Sequence, residues 1–189
     1  MDAASAFAAW DNFYVIVGSS AGALTGLQFV VMALVAERPF GTAQEINTFG
    51  TPTVVHFGAT LMISAILAAP WHRLGSAGVA LALCGALGCV YSLIVVRRTR
   101  RVVKYQPTMD DWLWFVLLPL VAYIGLLISA IALQRSPGPA LFAISGTALV
   151  LLFVGIRNAW DTVIYVALAR REAPEHPEHP AKKRKTQGE

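Results

Sequence analysis

The feature that most restricts this chain is an uncharged run, Phe13 to Ala36 (FYVIVGSSAGALTGLQFVVMALVA), bounded by Asp11 and by Glu37-Arg38. At about 1.5 Å of rise per residue, its 24 residues reach across a hydrocarbon core of roughly 30 Å with some tilt. Four more apolar runs follow, at about Pro52–Pro70, Leu74–Val96, Trp112–Leu133 and Pro139–Ala169. The whole chain is 56 % hydrophobic and 14 % charged, where soluble domains average about 45–50 % and about 25 %. The expected fold is therefore all-α: a five-helix integral membrane bundle over residues 13–171, with a short lead (1–12) and a basic tail (172–189).

The connections carry most of the charge. Glu37–Thr51 reads as a polar loop with room for one helical turn, and Pro52 falls in the first turn of the second helix, where its missing N–H would be unpaired anyway. Gln134–Pro139 reads as a tight turn. Pro119 falls within the fourth run, one turn before Tyr123, and should bend that helix. The fifth run is too long for the hydrocarbon, so its end should leave it near Arg157. The tail, with two Glu-His-Pro repeats and a final Lys182-Lys183-Arg184-Lys185, is too polar to build a core and is expected to be disordered.

Topology follows from the basic residues. With five spans, Arg38, five cations in Arg97–Lys104 and seven from Arg157 onward fall on one side, 13 in all. Arg73 and Arg135 fall on the other. Basic connections stay cytoplasmic, so the expected orientation is N-terminus outside and C-terminus inside. Trp10 and Trp71 then mark the outer interface, and Trp112, Trp114 and Trp160 the inner one. The first twelve residues hold Asp2 and Asp11 but no basic residue, so no cleaved leader is expected. Abundant Ala and Gly and the preference for Arg point to a bacterial cytoplasmic membrane.

Glycines supply the expected packing. Gly18, Gly22 and Gly26 recur every four residues on one face of the first span, and Gly75, Gly78, Gly85 and Gly88 enrich the third. Small faces let backbones approach where there is no water to expel. The first and third spans are therefore expected to pair, with a subunit interface or pore lining as the alternative for the first-span face.

No phosphate loop, zinc motif or nucleophile motif appears, and acids and bases are scarce within the spans, so enzyme is the third-ranked class. No cofactor or metal is expected. Cys84 and Cys89, five apart on one helix, point in different directions and cannot bridge. The cations lie beside apolar runs, which fits lipid head groups better than nucleic acid; the Lys182–Lys185 cluster would attract anionic lipid.

Two polar constellations remain. His56, Thr60 and Ser64 fall on one face of the second span, with Gln28 alone in the first. An ionisable group in a span usually faces the bundle interior or water, so these residues could line an ion or proton path. The plainer alternatives are a head-group-level histidine bonded to a loop carbonyl, and a glutamine bridging two helices. In the fifth run Asn158, Asp161, Thr162 and Tyr165 make a stripe edged by Arg157, either a gate or a salt-bridged helix exit, with Glu37 and Glu45 as potential partners. The leading expectation is an oligomeric ion- or small-solute-conducting protein with its pore on or near the oligomer axis. A non-conducting membrane subunit, which binds partner proteins through its glycine faces and basic tail, is the alternative.

Overall fold

A computed structural model describes the backbone of residues 3–36, 43–101 and 112–172, and side-chain surroundings over 6–33, 51–97 and 112–164. Outside those limits lie Glu37, the side chains of Glu45 and Tyr165, Lys104 and the tail with Lys182, Lys183, Arg184 and Lys185. Among the described residues the protein is all-helical. The helices are α1 (Ala3–Ala8), α2 (Asp11–Ala36), α3 (Ala43–Ala68), α4 (Leu74–Arg101), α5 (Leu118–Ala132) and α6 (Pro137–Glu172), with a π-helical turn at Leu113–Leu117 leading into α5.

Five segments are long and apolar enough to cross a membrane: Asp11–Ala33, Thr51–Ala68, Leu74–Arg97, Leu113–Ala132 and Pro137–Ile164. Large apolar side chains cover their outward faces, among them Ile16, Leu27, Leu87, Ile131 and Phe153. Water would leave such a surface uncovered; lipid covers it, and the arrangement suggests a membrane protein.

Several boundaries differ from the sequence expectation. Part of the anticipated first loop is helical, because α3 begins at Ala43 and carries Pro52 in its interior. Polar Gln44, Glu45 and Asn47 hid that extension, since they break the apolar run without breaking the helix. The lead forms α1, a short alanine-rich helix that buries Phe7 against the bundle. At the far turn α6 starts at Pro137, two residues early: the Ser136 carbonyl accepts from the Ala140 N–H at 3.1 Å, and Pro137 and Pro139 occupy positions whose N–H groups have no helical acceptor. Trp71 folds back so that its Nε1–H reaches the Ile66 carbonyl, capping the end of α3.

Pro119 acts just upstream of itself. The Leu118 N–H donates to the Leu113 carbonyl, five residues back, so the turn is widened before the proline. A π turn separates the ring from the carbonyl it would meet in a regular helix.

Successive helices run up and down. The upper end is taken as that of Asp11, Ala68, Leu74, Ala132 and Pro137. The closest pairings are α2 with α3, α4 with α5, and α6 with both α3 and α5; α3–α4 and α2–α6 are lighter. The expected partnership of the first and third spans is therefore replaced by two hairpins that α6 joins. A Cβ at Gly18 would lie 2.8 Å from Ser64 Cβ on α3, whereas Gly22 has only Leu61 Cδ1 at 4.0 Å and Gly26 has nothing within 4 Å. On α4, a Cβ at Gly85 would sit 3.0 Å from the Leu127 N of α5, and one at Gly78 3.0 Å from the Ala130 carbonyl. Both faces are small, and residue size alone does not say which partner a small face meets.

This ranking makes a prediction. Gly18→Leu should lower thermal stability by about 1–3 kcal/mol or more through overpacking against Ser64, while Gly26→Leu should be nearly neutral. Thermal unfolding of the two purified variants in detergent checks the order, and equal losses would show that the α2 glycines share one crowded interface.

Candidate functional site

Polar side chains in a span need partners, and hydroxyls find them on their own helix. Ser20 donates to the Ile16 carbonyl, Thr25 to Ala21, Ser145 to Leu141 and Thr162 to Asn158, each at 2.8–2.9 Å. Since Ser145 spends its proton on Leu141, the 2.7 Å bond between Tyr14 and Ser145 has the tyrosine as donor. That bond ties α2 to α6 near the upper end, under a cluster in which Trp10 meets Phe142 edge-on at 4.7 Å and Phe13 at 5.8 Å.

Midway down, His56 is 1 % exposed and its Nδ1 is 3.0 Å from the Tyr123 hydroxyl of α5. The partner is a tyrosine 67 residues away rather than a loop carbonyl. Tyr91 of α4 stands near the same imidazole, with ring centroids 6.4 Å apart. Thr60 donates to the His56 carbonyl at 3.0 Å and approaches the Ala148 carbonyl of α6 at 3.4 Å. Ser64 is buried against Gly18, and its hydroxyl has no partner among the described residues. The expected line His56, Thr60, Ser64 thus points into the bundle of a single chain.

The fifth-run stripe divides. Asn158 and Thr162 turn inward and are buried, while Arg157 and Asp161 pair on the flank, both part-exposed. The Arg157 guanidinium also lies 6.0 Å from the centroid of the Trp114 ring. An exposed pair of this kind contributes about 0–1 kcal/mol.

Gln28 joins the buried set. It is 3 % exposed, and its Nε2 has no hydrogen-bond partner among the described residues. Neither Nδ2 nor Oδ1 of Asn158 has one among the described residues either. Carboxamides are too large to satisfy both ends on their own helix, and an unpaired amide in an apolar interior costs several kcal/mol, about 2–7 depending on the reference. Thr53 of α3 is buried in the same half of the bundle.

Tyr91, Ser92, Thr53 and the Tyr14–Ser145 pair escaped the sequence reading. An isolated Ser, Thr or Tyr in an apolar run looks the same whether it bonds its own carbonyl or a neighbouring helix. Tyr123 stood out only by its place after Pro119. Compared with known protein families, characterised proteins and solved structures, the chain matches none, so functional argument rests on this polar interior.

Proposed function

We propose that this protein is a multi-pass membrane transporter or channel for ions or small solutes, with its path inside each five-helix bundle. The observation that carries the reading is the inward convergence of Gln28, His56, Thr60, Tyr123 and Asn158, from four different helices, under an apolar outer surface. A bundle needing only stability would fill these positions with apolar side chains, which cost nothing to bury. A homo-oligomer would then carry one path per subunit instead of a shared axial pore.

We place the N-terminus outside and the C-terminus in the cytoplasm of a bacterial inner membrane, on the count of basic residues, with the Lys182–Lys185 cluster on anionic head groups. The Arg157–Asp161 pair then lies by the cytoplasmic mouth.

Flux into proteoliposomes tests the reading. Purified protein should pass at least one class of ion or small polar solute well above empty vesicles, and His56→Leu should cut that flux at least fivefold while leaving detergent elution unchanged. Vesicles impermeable to every class, made from folded protein, would overturn it in favour of a non-conducting subunit that holds partner proteins through its exposed glycine faces.

A further inference from the structure

The outward side of α4 carries two kinds of residue in one row. Its exposed large apolar side chains are Val79, Leu83, Leu87, Val90, Leu93 and Ile94. At about 100° per residue these positions fall within an arc of roughly 120°. Leu81, Gly85 and Gly88, which face inward, lie on the opposite side of the helix.

The helix outlasts its apolar residues. The span ends at Arg97, whereas α4 continues to Arg101, about 6 Å further along the axis. Carrying the same rotation onward, the positions of Arg97 and Arg101 fall within the arc of the apolar row, and those of Arg98 and Arg100 at its two edges. The arginine turn therefore lies directly below the apolar row, on the same face.

Depth agrees with an interface. In the antiparallel α4–α5 hairpin, Gly88 meets Tyr123. Nine residues past Gly88 and nine before Tyr123, Arg97 comes level with Trp114, and tryptophan is enriched where hydrocarbon meets head groups. The head-group layer is roughly 5–8 Å thick on each side, which the last turn of α4 matches. Arg97 is exposed and has no ion pair among the described residues. The sequence Arg97–Lys104 holds five basic residues and no acid. Arg157 differs, because Asp161 neutralises it.

We propose that this face of α4 holds an anionic phospholipid of the adjoining leaflet, with the phosphate at Arg97 and Arg101 and an acyl chain along Val90, Leu93 and Ile94. Guanidinium forks take phosphate oxygens two at a time. An anionic head group also lacks the ammonium that offsets the phosphate of a zwitterionic lipid. A free phosphate ion or a nucleic acid would suit the arginines but leave the apolar row above them unused. The site lies on the outer surface, so it needs no cavity, and it is separate from the Lys182–Lys185 cluster. It takes α4 as lying in a bilayer and does not depend on conduction.

Native mass spectrometry of the purified full-length chain tests it, with equal amounts of a phosphatidylglycerol and a phosphatidylcholine of the same acyl chains added in detergent. An arginine near a charged lipid surface contributes roughly fivefold. The phosphatidylglycerol adduct should therefore exceed the phosphatidylcholine adduct at least tenfold. Arg97→Gln/Arg101→Gln should bring that ratio within twofold, while Lys182→Gln/Lys183→Gln/Arg184→Gln/Lys185→Gln should leave it above fivefold. Should the double variant fold poorly, Arg97→Gln alone, which keeps three arginines on α4, should still lower the ratio at least threefold. Equal adducts of the two lipids, or a preference lost only with the tail change, overturn the inference and leave the α4 arginines as an orientation signal. Displacement of phosphatidylglycerol by an equal concentration of inorganic phosphate or glycerol 3-phosphate overturns lipid as the occupant.

Discussion

Gly88→Leu is expected to abolish the folded protein. A Cβ at Gly88 would run into the Tyr123 ring, which covers this position of α4 with Cδ1, Cε1 and Cγ together. The ring has little room to retreat, because Tyr123 is 1 % exposed and its hydroxyl is held by His56. Even Gly88→Ala should cost about 1–3 kcal/mol through overpacking, and a leucine should exceed what a typical domain can lose. Fluorescence-detected size exclusion of a tagged chain reads this directly: a symmetric peak for the native protein, a void-volume aggregate for Gly88→Leu. Adding Tyr123→Ala to Gly88→Ala should recover part of the loss, since the second change removes what the first strikes. A monodisperse, native-like Gly88→Leu would mean that α4 and α5 do not pack as described.

One residue away the sign of the argument reverses. Leu87 is 69 % exposed, on the outward face of α4. In water, replacing an exposed leucine by aspartate changes stability by about ±0.5 kcal/mol. In the middle of a bilayer the same change costs about 2.5–3.5 kcal/mol on the insertion scale. Leu87→Asp should therefore sharply reduce the membrane-integrated fraction, measured as protein that resists alkaline extraction, whereas Leu87→Phe should not. Normal integration and yield of Leu87→Asp would contradict a lipid-facing surface at this position, and with it the reading of α4 as a span.

The five helices long and apolar enough to cross a membrane were readable because charge-free length is a local property, set against bilayer thickness by helical rise. The Arg157–Asp161 pair was readable for a similar reason, being one turn apart on one helix. Other features depended on distant partners. Gly18 and Gly88 look alike in sequence, yet one meets Ser64 of α3 and the other Tyr123 of α5. His56 could be identified as costly to bury, but its hydrogen bond to Tyr123 links residues in different hairpins. The first two turns of α3 were missed because apolarity marks lipid contact rather than helicity, and Ala43–Gly50 is helical without being apolar. That Gln28 and Asn158 both turn inward depended on the packing of α2 and α6 against their neighbours, which no single stretch encodes.

The pairing pattern bears on biogenesis. Since α2 with α3 and α4 with α5 form two helical hairpins, each can enter the bilayer as a unit soon after synthesis, its backbone satisfied internally. Neither hairpin completes the interior until α6 arrives, because that last segment supplies the contacts to both. Translation must therefore pass α6 before the bundle closes, and a nascent chain stalled in the turn after α5 would leave two hairpins with the faces that meet α6 uncovered.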